Sequence, residues 1–248
     1  MGTAIVTGAS GGIGLELARL LARDGHEVRL VARSAARLAE IARELPGSSA
    51  LVADLSTPEG VEAVFAAVPE CDILVNNAGF GDLGPFIAAS AQKLDEMIAV
   101  NVRALTLLTH RYAPGMAERG HGRVLNVAST AAFQPGPLMA VYFASKAYVL
   151  SFSEALAEEL RASGVTVTAL CPGPTESGFA EAAAMRSSGL VNARRLPTSA
   201  EVAADGYRAL LAGEVVRVTG LRNRVVAAGV RAVPRSFARR VVMRLNSG

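Results

Sequence analysis

Lysine is almost missing from this chain: of its 25 basic residues, all but Lys93 and Lys146 are arginine. Where arginine meets every general need for positive charge, a lysine marks a place where a compact, titratable ammonium group matters. A GC-rich coding bias accounts for the arginines equally well. Cysteine is scarce too. Cys71 and Cys171 both lie inside apolar runs and read as reduced core residues of a cytosolic protein, which excludes a disulfide framework. His26, His110 and His121 are scattered without ligand spacing, so no metal site is expected. No uninterrupted apolar stretch reaches the roughly 20 residues that a membrane span needs. The N-terminus passes straight into Gly2-Thr-Ala-Ile-Val6 with no charged leader, and a soluble, cytoplasmic protein is the expectation. There is no internal repeat or low-complexity tract. The net charge of +3 is too small to argue for nucleic acid.

Core material is plentiful. Hydrophobic residues make up 51% of 248 positions, which excludes disorder and suits one large α/β domain over 1–248. Short β-rich runs alternate with helical patterns throughout. Strands are expected at Thr3–Thr7, Glu27–Ala32, Ser49–Ala53, Asp72–Val75, Arg123–Ala128, Val165–Leu170 and Val215–Thr219. Helices are expected at Leu15–Ala22, Ala35–Leu45, Pro58–Val68, Ile98–Glu118, Ala140–Ala162 and Ser199–Leu211. This alternation predicts a Rossmann-type doubly wound parallel sheet of about seven strands with helices on both faces. Ligands in such sheets bind at the carboxyl ends of the strands.

The first strand runs into Gly8-Ala-Ser-Gly-Gly-Ile-Gly14 and then a helix. Glycines permit a tight turn and close backbone approach, while the helix N-terminus offers free N–H groups to phosphate. Gly8, Ser10, Gly12, Ile13 and Gly14 are therefore dinucleotide-binding candidates. The same residues satisfy Gly-x-Ser-x-Gly, the nucleophile elbow of Ser hydrolases. An elbow on the first strand leaves no upstream segment for an oxyanion loop, so a hydrolase using Ser10 stands only as a remote alternative. The second strand ends in Arg33-Ser34 with no acid at its tip. An arginine there suits the 2′-phosphate of NADP, where an acid would hold the ribose hydroxyls of NAD. Asp54 and Leu55 follow the third strand, and Asn76–Gly79 the fourth.

Tyr142 and Lys146 are four positions apart, one turn along a helix face. A nearby ammonium favours phenolate and should lower the tyrosine pKa toward neutrality, giving a usable proton donor and acceptor. Ser129, at the tip of the fifth strand, could face that hydroxyl. The proline-rich Thr130–Met139 segment reads as a loop, with Phe133, Leu138 and Met139 as a candidate substrate wall.

Taken together, Thr7-Gly-Ala-Ser-Gly-Gly-Ile-Gly14, Asp54, Asn76-Asn-Ala-Gly79, Asn101, Ser129, Tyr142-x-x-x-Lys146 and Pro172-Gly173 resemble the short-chain dehydrogenase/reductase family in order and spacing. The details of Val31–Ser34 and Pro172–Phe179 are most similar to an NADP-type bacterial branch. The resemblance implies an NADP(H)-dependent oxidoreductase interconverting a carbonyl and an alcohol, with Asn101, Ser129, Tyr142 and Lys146 as its catalytic set. It also implies adenine contacts from Asp54 and Leu55, and ribose contacts from Asn77, Ala78 and Gly79. Lys146 would hold the nicotinamide ribose beside Tyr142. Pro172, Gly173, Thr175 and Ser177 would lie at the nicotinamide. Asn101 would hold a water relaying protons to Lys146. Residues 178–197, with Phe179 and Met185, would form a substrate lid. Together with Phe80, the apolar candidates suggest an apolar small-molecule substrate. A catalytically silent NADP-binding regulator or scaffold is the alternative from another class; it would typically have lost Tyr142 or Lys146. The family habit of pairing through two long helices implies a homodimer or homotetramer. The basic tail 221–248 carries Arg222, Arg224, Arg231, Arg235, Arg239, Arg240 and Arg244 among valines, without an acid. It reads as a packing segment, membrane-surface contact being the less favoured reading.

Overall fold

In the computed structural model, residues 2–176 and 196–247 are described. Seven strands form one parallel sheet in the order β3-β2-β1-β4-β5-β6-β7. They are β1 (Thr3–Thr7), β2 (Glu27–Ala32), β3 (Ser48–Val52), β4 (Ile73–Asn76), β5 (Gly122–Val127), β6 (Val165–Cys171) and β7 (Val216–Val218). Central strands read as unbroken apolar runs because both faces are covered. In β1, Ala4 and Val6 face one core and Ile5 the other; Ile73 and Val75 of β4 split from Leu74 in the same way.

Helices α1 (Gly12–Arg23), α2 (Ala35–Glu44) and α7 (Ser199–Ala212) cover the first face through Leu17, Leu21, Leu38, Ile41, Val202 and Leu210. Helices α3 (Pro58–Ala67), α5 (Leu105–Glu118) and α6 (Ala140–Glu159) cover the second, through residues such as Val64, Leu108 and Val149. Side-chain caps set several starts: Ser34, Thr57 and Thr198 accept from Arg37, Gly60 and Glu201 backbone N–H groups, satisfying donors that a helix N-terminus leaves free.

Two expectations need correction. The long helix starting at Ile98 is instead α4 (Ala91–Ile98), a wide π-helical turn over Ala99–Ala104, and then α5. Periodicity cannot reveal one extra residue per turn, and the Ser90 cap of α4, which accepts from Lys93 N–H, was the overlooked start signal. The Thr130–Met139 segment is not loop throughout: Thr130–Phe133 forms a short 3-10 turn capped by Ser129. The tail forms α8 (Leu221–Ala232) and α9 (Arg235–Asn246), divided at Pro234. Ala227, Ala238, Val242 and Asn246 are buried within the chain. Among the described residues, no helix is long and apolar enough to cross a membrane. The expected lid lies almost entirely outside the described residues.

Candidate active site

The chain changes direction in the sheet between β1 and β4, so the loops leaving those strands part and open a crevice. Thr7, the last residue of β1, is buried and ties the two strands together there. Its Oγ1 donates to Val75 O (3.2 Å) and accepts from Asn77 and Ala78 N–H (3.0 Å each). The Asn77 amide donates to Thr7 O (2.9 Å) and Gly8 O (3.2 Å). Glycine is required against that amide. A Cβ on Gly14 would stand 2.3 Å from Asn77 Nδ2 and 2.5 Å from Gly8 O, and Gly8 itself has φ +66°. Gly11, the N-cap of α1, meets nothing within 4 Å in its Cβ direction. The start of α1 thus presents bare backbone to the crevice.

That crevice is a cavity of about 1170 Å³. Gly8, Ser10, Gly12 and Ile13 line it from β1 and α1. Arg33 and Ser34 follow β2, Asp54 and Leu55 follow β3, and Asn77–Gly79 follow β4. Ser129, Tyr142, Lys146, Pro172, Gly173 and Thr175 complete the wall. Arg33 is exposed and has no ion-pair partner among the described residues. Across from it, Asp54 accepts from the Ser56 N–H and hydroxyl. These bonds, with a smaller contribution from Arg33, hold its carboxyl below the usual range.

At the other end, Ser129, Tyr142 and Lys146 are all buried. Ser129 Oγ accepts from Ala131 N–H (3.1 Å), donates to Pro172 O (3.4 Å) and hydrogen-bonds the Tyr142 side chain. Lys146 Nζ donates to Val127 O at 2.7 Å and sits 5.9 Å from the Tyr142 ring centroid. Burial lowers the Lys146 pKa to about 8. The expected direction for Tyr142 is reversed: burial pushes it up to about 12, with the Ser129 hydrogen bond opposing. Withdrawal from water decides the direction, and Lys146, whose own pKa lies far below that of the tyrosine, is uncharged where Tyr142 ionises.

Asn101 lies in the π-helical turn and is 1% exposed. Its Oδ1 accepts from Phe80 N–H (3.1 Å), and its Nδ2 donates to Phe80 O (2.9 Å) and Ser145 Oγ (3.1 Å). Ser145 in turn donates to Tyr142 O at 2.7 Å. A Cβ on Gly79 would come within 3.0 Å of Asn101 Oδ1 and 3.4 Å of Lys146 Nζ. The bare glycine thus keeps open the space between those two groups.

Among the described residues, all the candidate catalytic and cofactor residues except Asn101 and Gly14 line the one cavity; those two stand directly behind its wall. Of the apolar candidates, Phe80 and Met139 line it, and Phe143 joins them. Phe133 packs instead with the β6–α6 core, and Leu138 is a turn residue with φ 65°. Ser177, Phe179 and Met185 lie outside the described residues. Sequence reasoning named Thr7 within a motif but gave it no role, and it missed Ser145 and a buried amide chain beneath the site. In that chain Asn76 Nδ2 donates to Asn126 Oδ1 (2.9 Å), and Asn126 Nδ2 to Ser153 Oγ (2.9 Å). Two asparagines inside apolar strands were the available signal, since buried amides need partners. His110 and His121 are exposed and neither lines the cavity with Ser10, so no hydrolase triad assembles among the described residues.

A glycine turn at the switch point of a seven-stranded parallel sheet, joined by one cavity to a buried Ser-Tyr-Lys cluster, defines a dinucleotide-dependent oxidoreductase. The chain belongs to the short-chain dehydrogenase family, whose model matches residues 2–187. It is 35% identical to nodulation protein G of Rhizobium sp. (strain N33) over 232 residues, covering 88% of this chain and 95% of that protein. It is 37% identical over 176 residues to a very-long-chain 3-oxoacyl-CoA reductase of Laccaria bicolor, 66% of this chain but only 52% of that relative. Among solved structures, a short-chain dehydrogenase from Sphingobium yanoikuyae in complex with NADPH superposes with TM-score 0.85. That structure is 32% identical, with 94% of each chain covered. This protein is accordingly an oxidoreductase acting on CH–OH and C=O groups.

Proposed function

We propose that this protein reduces apolar ketones or aldehydes, or oxidises the corresponding alcohols, with NADP(H) in preference to NAD(H). The observation that carries the reading is the continuity of one cavity from the exposed Arg33 to the buried Tyr142 hydroxyl. The residues present fit the cofactor. The bare backbone at Gly11–Ile13 and the α1 N-terminus accept a pyrophosphate. Arg33 offers a planar, permanently charged fork to a 2′-phosphate. Asp54 and Leu55 border the adenine side, Asn77–Gly79 the ribose, and Pro172, Gly173 and Thr175 the nicotinamide side. When bound, NADPH supplies the hydride.

The chain's own residues handle the proton and the developing charge. Ser129 Oγ donates to the carbonyl oxygen and holds it beside Tyr142. The Tyr142 hydroxyl, kept protonated by burial, gives its proton to that oxygen as negative charge grows there. In oxidation it removes the same proton. Lys146 stabilises the resulting phenolate when charged. Asn101 fixes the Gly79–Phe80 backbone over Lys146 and lies on the expected path of proton resupply.

Phe80, Met139 and Phe143 make the substrate end apolar. The Laccaria relative, named as acting on long 3-oxoacyl thioesters, is consistent with that chemistry. Pairing of subunits through α5 and α6 is part of the same proposal.

The test is NADPH oxidation with a panel of apolar ketones and aldehydes, repeated with NADH and with Arg33→Ala. We expect NADPH-dependent turnover, with Arg33→Ala losing at least about tenfold in NADPH affinity and little for NADH, as loss of a charged hydrogen bond dictates. Equal use of NADH by the wild-type enzyme would remove the NADP preference. Tight NADPH binding without turnover across the panel would point to the silent binder instead.

A further inference from the structure

The last turn of α9 reaches back 109 positions along the chain to hold a segment that flanks the active-site cavity. Asn246 is 4% exposed, and its Nδ2 donates to Pro137 O at 2.8 Å. Its Oδ1 is buried with no hydrogen-bond partner among the described residues. A buried amide with one end unsatisfied is a costly choice where a leucine would fill similar space. The end that is satisfied holds Pro137.

Pro137 sits in the 134–139 segment, which links the Ser129 turn to the start of α6. Gln134 and Met139 of that segment line the cavity. Its neighbour Leu138 has φ 65°, a left-handed conformation that a bulky L-residue seldom adopts without outside support. Supports come from both sides: Gly84 N–H donates to Leu138 O at 2.9 Å, and Asn246 grips the preceding carbonyl. Val242, one turn before Asn246, packs in the same buried cluster as Met139, Tyr142 and Phe143. Ala238, Val242 and Asn246, spaced by four, are the buried residues of α9.

We propose that Asn246 is a positioning residue for carbonyl reduction. Through Pro137 it sets the backbone that presents Met139 to the substrate and leads into the helix bearing Tyr142 and Lys146. The C-terminal helix is thus a strut of the substrate wall. This inference rests on the reading of the cavity as a carbonyl-reductase site.

The experiment uses the full chain with Asn246→Ala and Asn246→Leu, the second filling similar space while removing the N–H donor. Hydrogen exchange of a peptide covering 134–141 reports the strut itself. NADPH affinity and steady-state kinetics report its consequence. Both variants should speed exchange in 134–141 while leaving β1 and α1 unchanged. KM for the carbonyl substrate should rise at least about fivefold, the worth of one hydrogen bond, with kcat and NADPH affinity nearly kept. Unchanged exchange in 134–141 would overturn the proposal. So would a parallel loss of kcat, carbonyl KM, NADPH affinity and thermal stability, because that pattern is a plain folding defect. A wild-type enzyme that turned over no carbonyl would refute the functional reading, while the exchange result would still decide the strut.

Discussion

Lys146 is the residue at which sequence, stability and chemistry meet. Of the two lysines it is the buried one, 5% exposed, and folding withdraws its ammonium from water. It titrates at about 8 in the fold against an ordinary 10.5. Between those values the unfolded chain binds a proton that the folded chain does not, so stability rises as pH climbs from about 8 to 10.5. Below 8 the whole penalty is present, on the order of 3 kcal/mol for such a shift. Lys146→Met should therefore raise the melting temperature at pH 7 despite losing the bond to Val127 O. That gain should shrink steadily toward pH 10.5. A pH-independent difference between the two proteins would contradict it. Tyr142→Phe leaves packing nearly unchanged and removes the transferable proton, so kcat should fall at least about 100-fold. NADPH titration of that variant should match wild type; wild-type turnover would refute the mechanism. Both residues were legible in the sequence as a pair. The direction of the tyrosine shift was not, because a four-residue spacing conveys proximity but says nothing of burial.

At the scale of elements, the strands and most helices were legible for plain reasons. Runs such as Thr3–Thr7 and Ile73–Val75 are β-rich and punctuated by glycine or asparagine, and Ser34, Thr57 and Thr198 are good caps. The π-helical turn over Ala99–Ala104 left no such mark, since it is defined by hydrogen bonds rather than by composition. Asn101 depends on it for its grip on Phe80. The glycine turn is the opposite case, where the sequence pattern and the packing agree. A methyl on Gly14 would press on the Gly8 carbonyl, which is backbone and cannot swing aside. Gly14→Ala should cost about 1–3 kcal/mol of stability, as overpacking does. By displacing the N-terminus of α1 it should also weaken NADPH binding at least about tenfold. Calorimetry and a fluorescence titration check the two effects separately; unchanged NADPH affinity would show that the turn does not form the cofactor cradle.

Over the whole molecule, the sheet orders its strand ends so that residues from 8 to 175 share one cavity. That convergence was legible because parallel topology forces it. The route of the tail back to Pro137 was not, because no local pattern encodes a contact 109 positions away. The outer surface of α5 and α6 carries the remaining prediction. Leu107 and Tyr148 are about 40% exposed on adjoining helices, joined by the Thr106 Oγ1–Tyr148 OH contact at 2.9 Å. Tyr148 stacks on Phe152 at 5.7 Å between ring centroids, which stiffens a flat aromatic platform. We propose that this patch pairs two subunits; in an isologous contact the same patch meets itself, so each substitution there acts twice. Leu107→Glu would set two carboxylates at the centre of such an interface, where desolvation without a partner is expensive. Light scattering after size exclusion should find wild type at a multiple of 25.6 kDa and Leu107→Glu shifted toward the monomer. An unchanged mass for the variant would move the subunit contact to another face of the molecule.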